Sequence, residues 1–528
     1  IPQASAADSV QIWDRQELSF RSEREYENPI YDVENFSTTF TSPTGREVVI
    51  HGFWDGGTNW KIRFMPDETG TWSYTTTCSD EDNSGLHGQS GSFRVVENTK
   101  DDDIFRRGAI ERPDGLYYLT YSDGTPFFFT ACTAWNGALH STEEDWDTYL
   151  SNRVEKGYNT IQFVTTQWRG AKANRLGQVA FTGSGRIEIN VDFYQYLDDK
   201  VDRINEFGLV AAPVLLWALP FGQGMELSPG YYLPEREAIL LARYMVARYG
   251  AHHVIWILGG DGRYVESFEQ RWKNIGRDVF GDPQPGVVAQ HPHGRSWIGE
   301  VYEDEEWLDI YGYQSSHSAA EGTVNWLNKG PMAETWDEIP AKPIINMEPN
   351  YEEIGFRISP EDVRNASYWS LFNAPTAGIT YGHNGIWPWI ESRDETPLNH
   401  RHDPDITPWN EAMDAPGSRQ IGYLTNFMQQ YTWWNLKPAN HLLMSQPGDE
   451  QYDHFIAVAA TPESDLIMVY IPTQGRIELR NPFEFDYNGQ WFNPETNEIS
   501  RANIPMKENI LSIDSPRDGD MVLVLRKK

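Results

Sequence analysis

The chain has 528 residues, and 77 Asp and Glu against 43 Lys and Arg leave a net charge of −34. That surplus disfavours nucleic acid and anionic membranes, which need positive counter-charge, and suits solubility in high salt. The length exceeds what one core serves, so roughly three domains are expected.

No run of about 18 apolar residues exists, so no helical membrane span is expected. The small, polar lead-in Ile1-Pro2-Gln3-Ala4-Ser5-Ala6-Ala7-Asp8 reads as a trimmed N-terminus, and the expected location is secreted or periplasmic. Cys78 and Cys132 fall in different predicted domains and are expected as buried free thiols. The 21 Trp and 26 Tyr are many for this length. Aromatic rings outside a core are the usual platforms for the apolar faces of sugars.

Residues 9–97 read as short strands with turn punctuation, among them Glu47 to Trp54, Trp60 to Phe64, Trp72 to Thr77 and Ser92 to Val96. Strands so closely spaced, with no helical period, predict an N-terminal immunoglobulin-like β-sandwich. Lys100-Asp101-Asp102-Asp103 reads as a linker.

From 104 to 440 strands alternate with helices. Predicted strands cover Phe127–Ala131, Asn159–Thr165, Leu209–Leu216, Val254–Leu258, Gly286–Gln290, Leu308–Tyr313, Lys342–Glu348 and Ala377–Tyr381. Between them, Ser141 with Glu144 predicts a capping box, Pro234 opens a helix that Gly250 ends, and Ser359-Pro360 opens another. Eight strand–helix units predict a multidomain α/β protein with a central (β/α)8 TIM barrel. A doubly wound sheet is the competitor, and the absence of a Gly-rich phosphate loop counts against it. Residues 442–528 return to strands and read as a small C-terminal β-sandwich.

Barrel enzymes build their sites at the C-terminal ends of the strands. Here those ends collect Trp135, Trp168, Trp217, Asp261, Arg263, His291, His293, Gln314, His317, Glu348, Tyr351, His383, Trp387 and Trp389. Two carboxylates, Asp261 on the fourth strand and Glu348 on the seventh, face each other across the mouth within an aromatic rim. Glycosidic cleavage needs such a pair, one to protonate the leaving oxygen and one to attack carbon or activate water. The glycines before Asp261 read as the device that turns the backbone and brings the carboxylate to substrate. Glu352 and Glu353 are the alternatives to Glu348 if the strand ends later. Arg263 is placed to pair with Asp261 or with an acidic sugar, and His400-Arg401-His402 reads as a solvated turn. His291-Pro292-His293 lacks the further ligands a zinc barrel carries, so no metal or other cofactor is expected.

The stretches Ile255-Trp256-Ile257-Leu258-Gly259-Gly260-Asp261, Thr133-Ala134-Trp135, Lys342 to Glu352 and Gly382 to Trp389 resemble the apiosidase-like glycoside hydrolases, glycoside hydrolase family 140 and its relatives. The likeness extends over most of the chain, and the C-terminal part resembles a module labelled collagen-binding. It implies a retaining exo-glycosidase with Asp261 as acid/base and Glu348 as nucleophile. The Gly-Asp at the fourth strand stands where many barrel glycosidases carry Asn-Glu. The expected activity is a secreted glycoside hydrolase acting on plant or algal polysaccharides or their oligosaccharides. The partner expected is carbohydrate, not nucleic acid or membrane. The rival readings are a non-catalytic carbohydrate-binding barrel and a polysaccharide lyase using Tyr351 or His317 as base.

Overall fold

In a computed structural model, which describes residues 9–281, 285–401 and 403–528, the β-branched and apolar runs of the middle region form one parallel sheet of eight strands. The strands are Phe129–Thr133, Thr160–Val164, Val210–Trp217, Ile255–Gly262, Val287–Pro292, Ile310–Gln314, Ile344–Glu348 and Gly378–Tyr381. Hydrogen-bonded order runs seven, six, five, four, three, two, one, eight, and strands seven and eight pack together to leave a nearly closed barrel. Every residue of the eight strands is buried except Asp261. Strands buried on both faces explain the continuous apolar runs.

Helices Glu143–Glu155, Val191–Glu206, Glu235–Tyr249, Glu269–Phe280, Glu321–Lys329, Pro360–Phe372 and Pro416–Met428 cover the barrel. Two expectations need correction. Strand five is followed by turns rather than a helix, whereas strand six has one, Glu321–Lys329, which Gly330-Pro331 cuts too short to stand out by period. The first capping box is one residue later than predicted: Thr142 accepts from the Asp145 backbone at 3.0 Å, while Ser141 Oγ accepts from Lys200 Nζ at 3.1 Å.

The N-terminal region forms a five-stranded and a three-stranded sheet around Phe40, Trp60, Phe64 and Trp72. It docks on the barrel through buried charge. Arg63 donates to Glu17 at 2.9 Å and to Asp198 at 2.6 Å, and Arg248 donates to the same Asp198 at 2.7 Å while lying 2.9 Å from Asp55. Although burial opposes it, the two guanidinium groups hold Asp198 far below the usual carboxylate range.

The C-terminal region forms six- and three-stranded sheets, joined to the barrel by a two-pronged Arg364–Asp520 pair at 2.8 Å and by Phe427 stacked on Phe492 at 3.9 Å. Cys78 and Cys132 are buried free thiols. The lead-in Ile1–Asp8 and His402 lie outside the described residues.

Candidate active site

The fourth strand changes register against the fifth twice, between Ile257 and Gly260 and between Gly260 and Gly262, and Asp261 sits at the second irregularity with φ 51°. A non-glycine residue there is strained by about 1–2 kcal/mol, a cost that short polar side chains tolerate best. The role expected of the glycines is corrected. Gly259, Gly260 and Gly262 do not hold positive φ; a Cβ on Gly260 would lie 2.6 Å from the Trp217 ring, and one on Gly262 would lie 2.4 Å from that of Tyr264. The glycines admit aromatic rings against the strand, and Asp261 itself takes the unusual backbone turn.

That turn aims the Asp261 N–H at His291, whose Nδ1 accepts it at 3.1 Å. An accepting Nδ1 leaves the ring's proton on Nε2, which lies 3.2 Å from Glu348 Oε2. Glu348, at the end of strand seven, meets a second histidine. His317 Nε2 lies 2.9 Å from Glu348 Oε1, and its Nδ1 donates to the Pro349 carbonyl at 2.8 Å. The Tyr351 ring packs on His317 at 4.2 Å. Strands four, five and seven and the loop after strand six thus bind the two carboxylates into one cluster.

The surroundings push the two carboxyl groups apart. Burial, then the negative charge of Glu348, raise Asp261 to about 7, against a smaller pull from His291, Arg169 and His317. Burial also opposes charge on Glu348, but the His291 and His317 rings, with Nε2 atoms 3.2 and 2.9 Å from its oxygens, outweigh it and hold the group well below the usual carboxylate range. One acid stays protonated near neutrality while its neighbour is ionised, the division of labour that acid-and-nucleophile catalysis requires.

Four of the predicted tryptophans, Trp135, Trp168, Trp217 and Trp387, surround this cluster as a packed wall, all of them buried. Trp135 lies 5.6 Å from Trp217 and 5.7 Å from His291, and its Nε1 donates to Tyr351 Oη at 2.9 Å. Trp168 packs on Trp217 at 4.2 Å and Trp387 at 6.2 Å, its Nε1 bonded to Asn136 at 2.7 Å. The buried Nε1 atoms of Trp217 and Trp387 find no acceptor among the described residues. Trp389 belongs to the core, stacked on Trp409 at 4.4 Å.

Of the other candidates, Gln314 stays beside the cluster, paired with Glu348 between strands six and seven. Arg263 pairs with Glu266, not with Asp261. His293 is half-buried against Phe221 at 5.6 Å, and Gln314 is buried, its carbonyl accepting from Arg295 N at 2.8 Å. His383 is fully buried, with Nδ1 accepting from Gly385 N at 3.0 Å, and burial lowers it to about 3. Glu352 is committed to structure: Tyr381 Oη donates to it at 2.6 Å and Gly417 N at 3.2 Å.

Two residues were not recognised from sequence. Arg169, directly after Trp168, donates to the Asn399 carbonyl at 2.9 Å, has a buried Nε with no partner among the described residues, and acts electrostatically on both Asp261 and Glu348. Its position at a strand end was the available signal. His400, expected in a solvated turn, instead packs on Trp387 at 4.5 Å, and burial with the Arg169 charge lowers it to about 4. Among the described residues no group of three or more His, Cys, Asp or Glu side chains is arranged to hold a metal ion.

Comparison with known proteins agrees with this fold. Residues 114–435, more than half of the chain, match the family described as apiosidase-like, catalytic domain, and residues 9–79 match a domain of unknown function, DUF5060. No curated protein matches. Among solved structures, one named as a glycoside hydrolase is 23% identical with a TM-score of 0.68, over 80% of this chain and 97% of that one. A glycoside hydrolase family 5 protein from Bacteroides vulgatus is 22% identical with a TM-score of 0.68, over 80% and 94%. A candidate glycoside hydrolase from the same organism, 17% identical, aligns over 99% of this chain and 100% of its own with a TM-score of 0.71. The chain belongs to the apiosidase-like family of catalytic domains and is a glycoside hydrolase.

Proposed function

We propose that the enzyme is an exo-acting, retaining glycosidase that works outside the cytoplasm on plant or algal polysaccharides or their fragments. The opposed protonation of Asp261 and Glu348 carries the reading. Ionised Glu348 attacks the anomeric carbon as Asp261 gives its proton to the departing oxygen, leaving a glycosyl ester on Glu348. Esterification removes the charge that helped raise Asp261, so its carboxylate becomes available to take a proton from water. That water attacks the anomeric carbon and returns Glu348 to its ionised form.

Exo action is supported by the closed packing of Trp135, Trp168, Trp217 and Trp387 about the two carboxylates. The lyase alternative is disfavoured because burial and Glu348 raise the Tyr351 hydroxyl well above its ordinary range, making it a poor base. A polymeric substrate would be met in the periplasm or beyond, and cell fractionation checks that location.

The test is a panel of plant and algal glycans, with products followed by mass and by proton NMR of the first anomer released. Retention of configuration with single terminal sugars supports the reading; inversion, internal cleavage or an unsaturated product overturns it. Asp261→Asn and Glu348→Gln should each lower turnover by about 10²–10⁴ or more while the fold persists. Wild-type rates in both would defeat it.

A further inference from the structure

The N-terminal domain, which has no assigned function, touches the barrel at a place that leads to the site. Two residues of its loop, Asn28 and Tyr31, hold Ile187, a fully buried residue of the long loop after barrel strand two. Asn28 Nδ2 donates to the Ile187 carbonyl at 2.8 Å, and the Ile187 N–H donates to Tyr31 Oη at 2.9 Å. Both backbone groups of one barrel residue are therefore met by side chains of another domain. The Arg186 guanidinium lies over the Tyr31 ring at 4.4 Å and adds to the same contact.

Ile187 precedes one arm of a hairpin in which Phe181 pairs with Ile189 and Thr182 with Glu188. Its turn is tight: Gly183 has φ 83°, and a Cβ there would lie 2.2 Å from the Arg186 carbonyl oxygen. The other arm grips the side chain of Gln167. Gln167 Nε2 donates to the Phe181 carbonyl at 2.9 Å, and Ala180 N donates to Gln167 Oε1 at 2.9 Å. The next two residues are Trp168, packed on Trp217, and Arg169, which acts on both carboxylates. A continuous path of hydrogen bonds thus runs from Asn28 and Tyr31 through the hairpin to Gln167 and the wall of the site.

We infer that the N-terminal domain is a positioning part of the active site, with Asn28 and Tyr31 setting Trp168 and Arg169 through the Phe181–Ile189 hairpin. It is not a freestanding glycan-binding module. The inference rests on the reading of Trp168 and Arg169 as a substrate wall. Loops built of turns hold a binding surface only as well as their anchors do, and a displacement of an ångström at a site is enough to change turnover.

The test uses the full chain with Tyr31→Phe, which removes one oxygen and keeps the ring, and the pair Asn28→Ala with Tyr31→Phe. Hydrogen exchange across residues 165–190 and oxidation of Trp168 by N-bromosuccinimide, both read by mass spectrometry, need no substrate. In wild type this segment should be protected and Trp168, which is buried, should resist oxidation. In the variants both should become faster by about tenfold while the barrel strands stay protected.

With the 4-nitrophenyl glycoside of the sugar that wild type releases, KM should rise by about tenfold and kcat should change much less. Unchanged exchange, oxidation and KM in a folded Tyr31→Phe protein would overturn the inference. So would a fall confined to thermal midpoint, or a loss confined to kcat. If wild type cleaves no such glycoside, the exo-acting reading fails separately, and the exchange and oxidation results still decide the inference.

Discussion

Asp261→Asn should make the protein more stable as it makes the enzyme inactive. The folded carboxyl is raised from 3.8 to about 7, by burial first and the Glu348 charge second. For an acid with a raised folded pKa, the native state keeps its proton longer than the unfolded chain does. Stability is therefore lost as pH climbs from the unfolded value to the folded one, and the loss is complete above about 7. At about 1.4 kcal/mol for each tenfold step, the ionised group burdens the fold by up to about 4 kcal/mol.

Partial solvent access at Asp261 reduces the figure, and about 1–3 kcal/mol is the expected gain at pH about 8. Asparagine resembles the protonated acid in shape and tolerates the left-handed backbone at φ 51° at least as well, so little new strain enters. The assay is urea unfolding followed by tryptophan fluorescence in wild type and Asp261→Asn, across pH about 4 to about 8. The variant's midpoint should exceed wild type's at the upper end, and the two should converge at the lower. No gain at pH about 8, or a gain that persists undiminished at about 4, would refute the assignment of a raised Asp261.

Three further outcomes follow from the same geometry. In kcat/KM, the alkaline limb should fall through about pH 7 as Asp261 loses its proton, and activity should persist on the acid side to well below 4.5, the ordinary Glu value, because Glu348 stays ionised; a bell centred on ordinary carboxylate values would contradict the shifts. Gly260→Ala places a Cβ 2.6 Å from the Trp217 ring, so Trp217 must move; activity should fall about tenfold or more with a stability cost of about 1–3 kcal/mol, read by turnover and urea midpoint. Asp520→Ala strands the buried Arg364 guanidinium and should destabilise the junction of barrel and C-terminal sheets by about 3–5 kcal/mol, seen as earlier unfolding of the C-terminal peptides in hydrogen exchange.

Much of this protein is written locally. The apolar runs that became barrel strands, the Ser359–Asp362 cap and the Gly250 stop are set by side-chain burial and nearby backbone hydrogen bonds, which neighbours in sequence largely decide. Asp261 and Glu348 could be found because a parallel barrel brings strand ends to one face, so position along the chain stands in for position in space. Tertiary structure decided what these residues are. Glu348 is ionised because His291 and His317, from two other strand ends, point at it, and Asp261 is protonated because Glu348 and burial oppose its charge. Glu352, four residues from Glu348, is a structural acceptor only because Tyr381 and Gly417 reach it. Arg169 and His400 entered the site through loop packing that carries no period, and the N-terminal loop reached it through contacts more than a hundred residues apart. Protonation states and long-range anchors depend on distance in space and on dielectric surroundings, and neither is a property of a residue and its neighbours in the chain.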